Sequence, residues 1–147
     1  MSALRHLLAR LRDDSTGAIA VEFALLGAAF LTMLLGVVQV GIGMQNYNAI
    51  RNVSADVARY TMVQYETGNE LSMTQIRNFA LSAGQNAPYL LDFTRLDAEV
   101  APAATQRVAG ATELTLEITY TVPIMIAFLE IEEPRIVYQR PIFLLDE

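Results

Sequence analysis

Residues 18–38 read AIAVEFALLGAAFLTMLLGVV, with Glu22 as the one charged side chain. At about 1.5 Å of rise per residue, a helix of that length covers roughly 30 Å, the hydrocarbon thickness of a bilayer. Backbone amides in lipid must pair within their own segment, so helix is the form open to this run. A chain of 147 residues that commits such a helix to the membrane has room for one small domain beside it. Composition agrees: 53% of residues are hydrophobic and 18% charged, with the apolar excess concentrated between residues 18 and 44.

The flanks give the helix a direction. Arg5, Arg10 and Arg12 precede it, whereas the next Arg is Arg51, so the positive-inside rule puts the N-terminus in the cytoplasm. Leu4, Leu7, Leu8 and Leu11 form an apolar helical stripe in the leader, with the three Arg off it, as in a segment lying on the inner membrane face. Asp13-Asp14-Ser15-Thr16-Gly17 has turn and cap chemistry and is expected to break that helix. A cleaved secretory signal with Gly41-Ile42-Gly43 as its site is the alternative, but such signals have shorter apolar cores.

Gly17 stands directly before the apolar run, Glu22 is the fifth residue after it, and Phe23 follows. This G-A-I-A-V-E-F arrangement behind a short basic leader resembles the processing site of type IV pilin precursors. The continuation to about Tyr65 is similar to the TadE-like pseudopilins of tight-adherence (Flp-type) pilus systems. That resemblance implies a pilin-like fold and a membrane prepilin peptidase cutting between Gly17 and Ala18, which would remove residues 1–17. It also implies other pilin and pseudopilin subunits and an assembly platform as partners, in a bacterial inner membrane with the C-terminal part periplasmic.

The residues support a role for Glu22 without the family. A carboxylate five residues inside the hydrophobic edge costs a few kcal/mol unless it is paired or reaches water. Cleavage after Gly17 creates an α-ammonium on Ala18, and Ala18 and Glu22, at i and i+4, share a helix side. The charge is then neutralised by its own chain's terminus or a neighbour's; a carboxylate snorkelling to the headgroups is the plainer reading. Ala20, Ala24, Ala28, Thr32 and Gly36 fall on every fourth residue. Such ridges of small side chains let membrane helices pack closely.

Beyond residue 44 the pattern is α+β. The long helix is expected to resume after Gly41 and Gly43 and run to Tyr65, with Ile50, Val53, Val57 and Tyr60 on its apolar side and an Asp56–Arg59 pair on its wet side. Gly68-Asn69 supplies a turn, and Ser72 with Gln75 reads as a capping box. The second, short helix should bury Ile76, Phe79, Ala80 and Ala83 and stop at Gly84. Residues 112–122 alternate strictly, with Leu114, Leu116, Ile118, Tyr120 and Val122 on one face, which makes them a half-buried strand. Residues 93–100 and 136–144 are weaker strand candidates, Pro141 confining the latter to an edge or a break. The organisation is therefore a leader at 1–17, a transmembrane helix at 18–44, and an extracytoplasmic domain with a small antiparallel sheet at 45–147. The apolar stretch 124–131, between Pro123 and Pro134, is either a subunit contact or a cover for the core.

Composition excludes most catalysis. Cysteine is absent and His6 is the only histidine, so disulfides, thiolate metal sites, Cys-His nucleophiles and His-cluster zinc sites cannot be built within one chain. Beyond residue 44, seven Arg face thirteen acids, a balance of −6 that gives no reason to bind nucleic acid. Glu130, Glu132 and Glu133 lack the spacing of a calcium loop. No cofactor, metal or catalytic residue is expected; an enzyme would need a carboxylate pair such as Asp97/Glu99 or Glu130/Glu132. An assembly subunit is the leading reading, with minor preferred over major because about 80 residues follow Tyr65. An uncleaved single-pass accessory subunit and a membrane-tethered binding module are the rivals.

Overall fold

The computed structural model describes residues 15–125 and 132–145, so the leader stripe and most of the 124–131 stretch lie outside the described residues. The described chain divides after Val38 into two compact units. It is α+β: a long helix α1 (Ser15–Glu66), a short helix α2 (Met73–Gln85), and an antiparallel sheet of three strands.

Helix α1 includes Ser15–Gly17, the described part of one expected break, and runs without interruption through Gly41 and Gly43, where a second is expected. Ser15, Thr16 and Gly17 are helical, because first-turn amides have no intrahelical partners and weak helix formers cost little there. Gly41 and Gly43 are also helical. A lone glycine costs about 1 kcal/mol in a helix interior, and here Ile42, between them, packs against the core and offsets it.

In the unit from Gln39 onward, Ile50, Val53 and Val57 of α1 are fully buried. Helix α2 starts with the expected capping box: Gln75 N donates to Ser72 Oγ at 3.3 Å and Ser72 N to Gln75 Oε1 at 2.8 Å. Ile76 and Ala80 are buried, Phe79 and Ala83 half-buried, and the Phe79 ring stacks on Tyr60 with centroids 4.1 Å apart. Gly84 does not stop the helix. It is buried within it, where an added Cβ would lie 2.6 Å from Leu96 Cδ2, so glycine permits a close approach to the sheet. The helix ends instead at Asn86, whose N–H and side-chain amide both donate to Ser82 O.

A 3₁₀ turn at Phe93–Arg95 takes the first residues of the expected 93–100 strand. Asp92 imposes it by accepting hydrogen bonds from Thr94 N (2.9 Å) and Thr94 Oγ1 (2.7 Å), which hold its carboxyl below the ordinary aspartate range. Strand β1 follows at Leu96–Pro102, then β2 at Ala111–Thr121 and β3 at Arg135–Leu145, in spatial order β1-β2-β3. Leu114, Leu116, Ile118 and Tyr120 of β2 line the buried face, joined by Leu96 and Ala98 of β1 and Ile142 and Leu144 of β3. Pro141 is accommodated because β3 is an edge strand, and the strand is unbroken. On β1, Arg77 of α2 donates Nε to Ala98 O at 2.7 Å and pairs with Asp97 at 3.0 Å.

Two interactions differ from the sequence expectations. Asp56 does not pair with Arg59; its Oδ2 accepts the Tyr89 hydroxyl at 2.7 Å, tying α1 to the loop after α2 and pushing the Tyr89 phenol up. Glu113, on the sheet face expected to be wet, is only 1% exposed. The loop between β1 and β2 folds over it, with Arg107 N donating to Oε2 at 3.0 Å and Arg107 Nε to Oε1 at 2.8 Å. Gln106 brackets the backbone of the same residue, and the Arg107 guanidinium lies over the Phe143 ring.

Candidate functional site

Within residues 15–38, α1 presents apolar side chains on every side. Ile19, Val21, Phe23, Leu25, Leu26, Phe30, Met33 and Val37 are each more than half exposed, Phe23 reaching 78%. The helix is long and apolar enough to cross a membrane: its most apolar 18-residue window has a mean hydropathy of 2.2, and none of that window is buried within the chain. A helix apolar all round needs an apolar surrounding, and among the described residues none covers this window.

The residues singled out for processing lie together at the start of this surface. Gly17, Ala18, Glu22 and Phe23 are all exposed, and helical geometry puts Ala18 and Glu22 one turn apart on one side. Ala20, Ala24, Ala28 and Thr32 are exposed and Gly36 is half-buried. Because a step of four residues overshoots a turn by about 40°, this row climbs the helix as an inclined ridge. Thr32 Oγ1 donates to Ala28 O at 2.8 Å, which satisfies its hydroxyl inside the helix and leaves its methyl to the ridge. A Cβ added at Gly36 would meet nothing within 4 Å. The glycine is therefore not explained by packing within the chain.

Of the carboxylate pairs considered for catalysis, Asp97 and Glu99 do not converge on a cleft. Asp97 is paired with Arg77, and Glu99 faces Glu117 directly across the strands. Glu117 accepts from the Gln139 amide. Glu133 pairs with Arg95 at 2.8 Å, and Glu130 lies outside the described residues. Among the described residues no group of three or more acids or histidines is placed to hold a metal ion.

An open groove of about 420 Å³ runs between Leu71, Met73, Leu114 and Leu144 in the second unit, and the Glu113 beside it is already engaged by Arg107. The pairing of Glu113 with Arg107 is the feature the sequence hid. Strict alternation assigns residue 113 to the solvent side, and only the fold of the preceding loop buries it.

Residues 17–59, a stretch that begins at Gly17 and ends inside α1, match the family model described as TadE-like protein. No curated protein and no solved structure matches the chain significantly.

Proposed function

We propose that this TadE-like chain is a minor pilin-like subunit of a tight-adherence pilus. In this reading it is inserted with its N-terminus in the cytoplasm, cut by prepilin peptidase between Gly17 and Ala18, and packed against other pilin or pseudopilin helices on an assembly platform. There it primes, caps or supports the fibre. The carrying observation is the union of motif and surface: G-A-I-A-V-E-F heads the 18–38 stretch of α1, whose large apolar side chains are mostly exposed among the described residues. The ridge from Ala20 to Gly36 supports lateral packing, since Gly36 lowers helix propensity although a Cβ there would meet nothing within 4 Å among the described residues. Glu22 would neutralise the new Ala18 ammonium in cis or in a neighbour.

The second reading is an uncleaved single-pass accessory subunit. One observation favours it: helix α1 begins at Ser15, so the Gly17–Ala18 peptide lies in a helical turn that a peptidase would first have to open. Intact mass of the protein extracted from its host membrane separates the two. A mass starting at Ala18, restored to full length by Gly17→Ala, is expected for the pilin-like subunit. A full-length native mass leaves the accessory subunit. In Glu22→Ala, normal cutting with failed assembly is expected.

A further inference from the structure

The side chain of Gln39 makes two hydrogen bonds to a segment 84 residues or more further along: its Nε2 donates to Pro123 O at 2.9 Å, and its Oε1 accepts from Met125 N at 3.0 Å. An amide that pairs with one carbonyl and one N–H of the same backbone segment acts as one more rung of a β-ladder. It clips the chain leaving β2 to helix α1 at one level. That level is set by sequence. The apolar run ends at Val38, and no charged residue occurs between Glu22 and Arg51. If α1 spans the bilayer, the interfacial layer beyond the hydrocarbon is about 5–7 Å deep on each side, and residues 39–44 rise through it over about 9 Å.

The side chains around the clip fit that layer. Val40 and Met44 are each 63% exposed and Met125 is 55% exposed among the described residues. Pro123 and Ile124 are half-buried beside them, and no charge occurs between Glu117 and Glu130. Gln39 also satisfies a carbonyl and an N–H that would otherwise need water, which suits a backbone lying where water is scarce. We propose that residues 123–125, clipped to α1 by Gln39, form with Val40 and Met44 a second lipid contact, seated among the headgroups of the leaflet that α1 leaves at Val38. The inference rests on the reading that α1 crosses the membrane. It adds that the folded domain sits on the bilayer instead of standing clear of it. Two separated apolar points of contact restrict rocking of that domain in a way that one helix cannot.

The lack of native cysteine makes the test direct. Single variants Phe30→Cys, Val40→Cys, Met125→Cys and Val108→Cys of the full chain are labelled with a small fluorophore. They are reconstituted alone into phosphatidylcholine vesicles, with and without lipid carrying a quencher near the headgroup end of the acyl chain. The label at position 125 is expected to be quenched as strongly as that at 40 and several-fold more than that at 108. Adding Gln39→Ala to the Met125→Cys variant should lower quenching at 125 and leave that of the Val40→Cys variant unchanged. Quenching at 30 and 40 with none at 125 above the level at 108 overturns the proposal and leaves the membrane reading intact. That result, with shielding of 125 appearing only when other subunits are co-reconstituted, would make the patch a protein interface. No quenching at 30 would remove the membrane reading itself. Quenching at 125 that is indifferent to Gln39→Ala would refute the clip as its cause.

Discussion

Residues 15–38 and residues 39–66 belong to one helix, yet they obey opposite rules of burial. In the first stretch Phe23, Leu25 and Phe30 are mostly exposed; in the second Ile50, Val53 and Val57 are sealed at 0%. The second stretch is amphipathic and spends its apolar side on its own domain. The first is apolar all round and is mostly exposed among the described residues. A substitution in the second stretch therefore acts on folding, and one in the first acts on whatever surrounds the helix. Core contacts and outward-facing apolar surface are thus divided along a continuous element at about Val38.

This division can be challenged directly, because all six tyrosines follow Val38 and there is no tryptophan, so the tyrosine band of the near-UV circular dichroism in detergent reports the unit from Gln39 onward. The largest effect is expected from Leu116→Ala, at a position that is 0% exposed and central in the sheet: a loss of about 2–5 kcal/mol in chemical denaturation. Glu113→Gln should follow, with a signature in pH. Arg107 hydrogen bonding holds the Glu113 carboxyl below the ordinary glutamate range in the folded state. Its contribution is therefore fully present above the unfolded value of about 4.3 and disappears as pH falls through the lower folded value. Melting curves should show the deficit of Glu113→Gln at neutral pH and its shrinkage below about pH 4; a deficit constant with pH would contradict the ion pair. Ser72→Ala should cost about 1 kcal/mol by removing the cap of α2. Gly36→Leu is expected to leave the tyrosine-reported stability within about 0.5 kcal/mol while reducing co-purification with other pilus subunits. A large stability loss from Gly36→Leu would erase the proposed division.

What sequence reveals here depends on how far apart the interacting residues lie. The β2 strand is legible because Leu114, Leu116, Ile118 and Tyr120 alternate within a few residues, and the α2 cap because Ser72 and Gln75 are three apart. The Asp92–Thr94 turn is local too, but its effect was obscured by the strand-like composition of the residues after it. Alternation correctly assigns Glu113 to the outer face and says nothing of the loop that roofs it. Tyr89 as the partner of Asp56, Leu96 as the reason for Gly84, and residues 123–125 as the partners of Gln39 are all set by tertiary contacts of long sequence separation. The proposed processing motif stands out for the opposite reason: Gly17, Ala18, Glu22 and Phe23 lie within seven residues, and the resemblance they carry depends on order alone.

The two borders of the sheet have a further consequence. A three-stranded sheet has two edges, and each is a template onto which another chain can add a strand. On β1 the Arg77 guanidinium already occupies the Ala98 carbonyl, and on β3 Pro141 deletes a donor in mid-strand. Many copies of this domain held side by side at a membrane would meet at concentrations where sheet fusion is a standing hazard. With both edges blunted, such copies can be crowded together by their helices without their sheets polymerising.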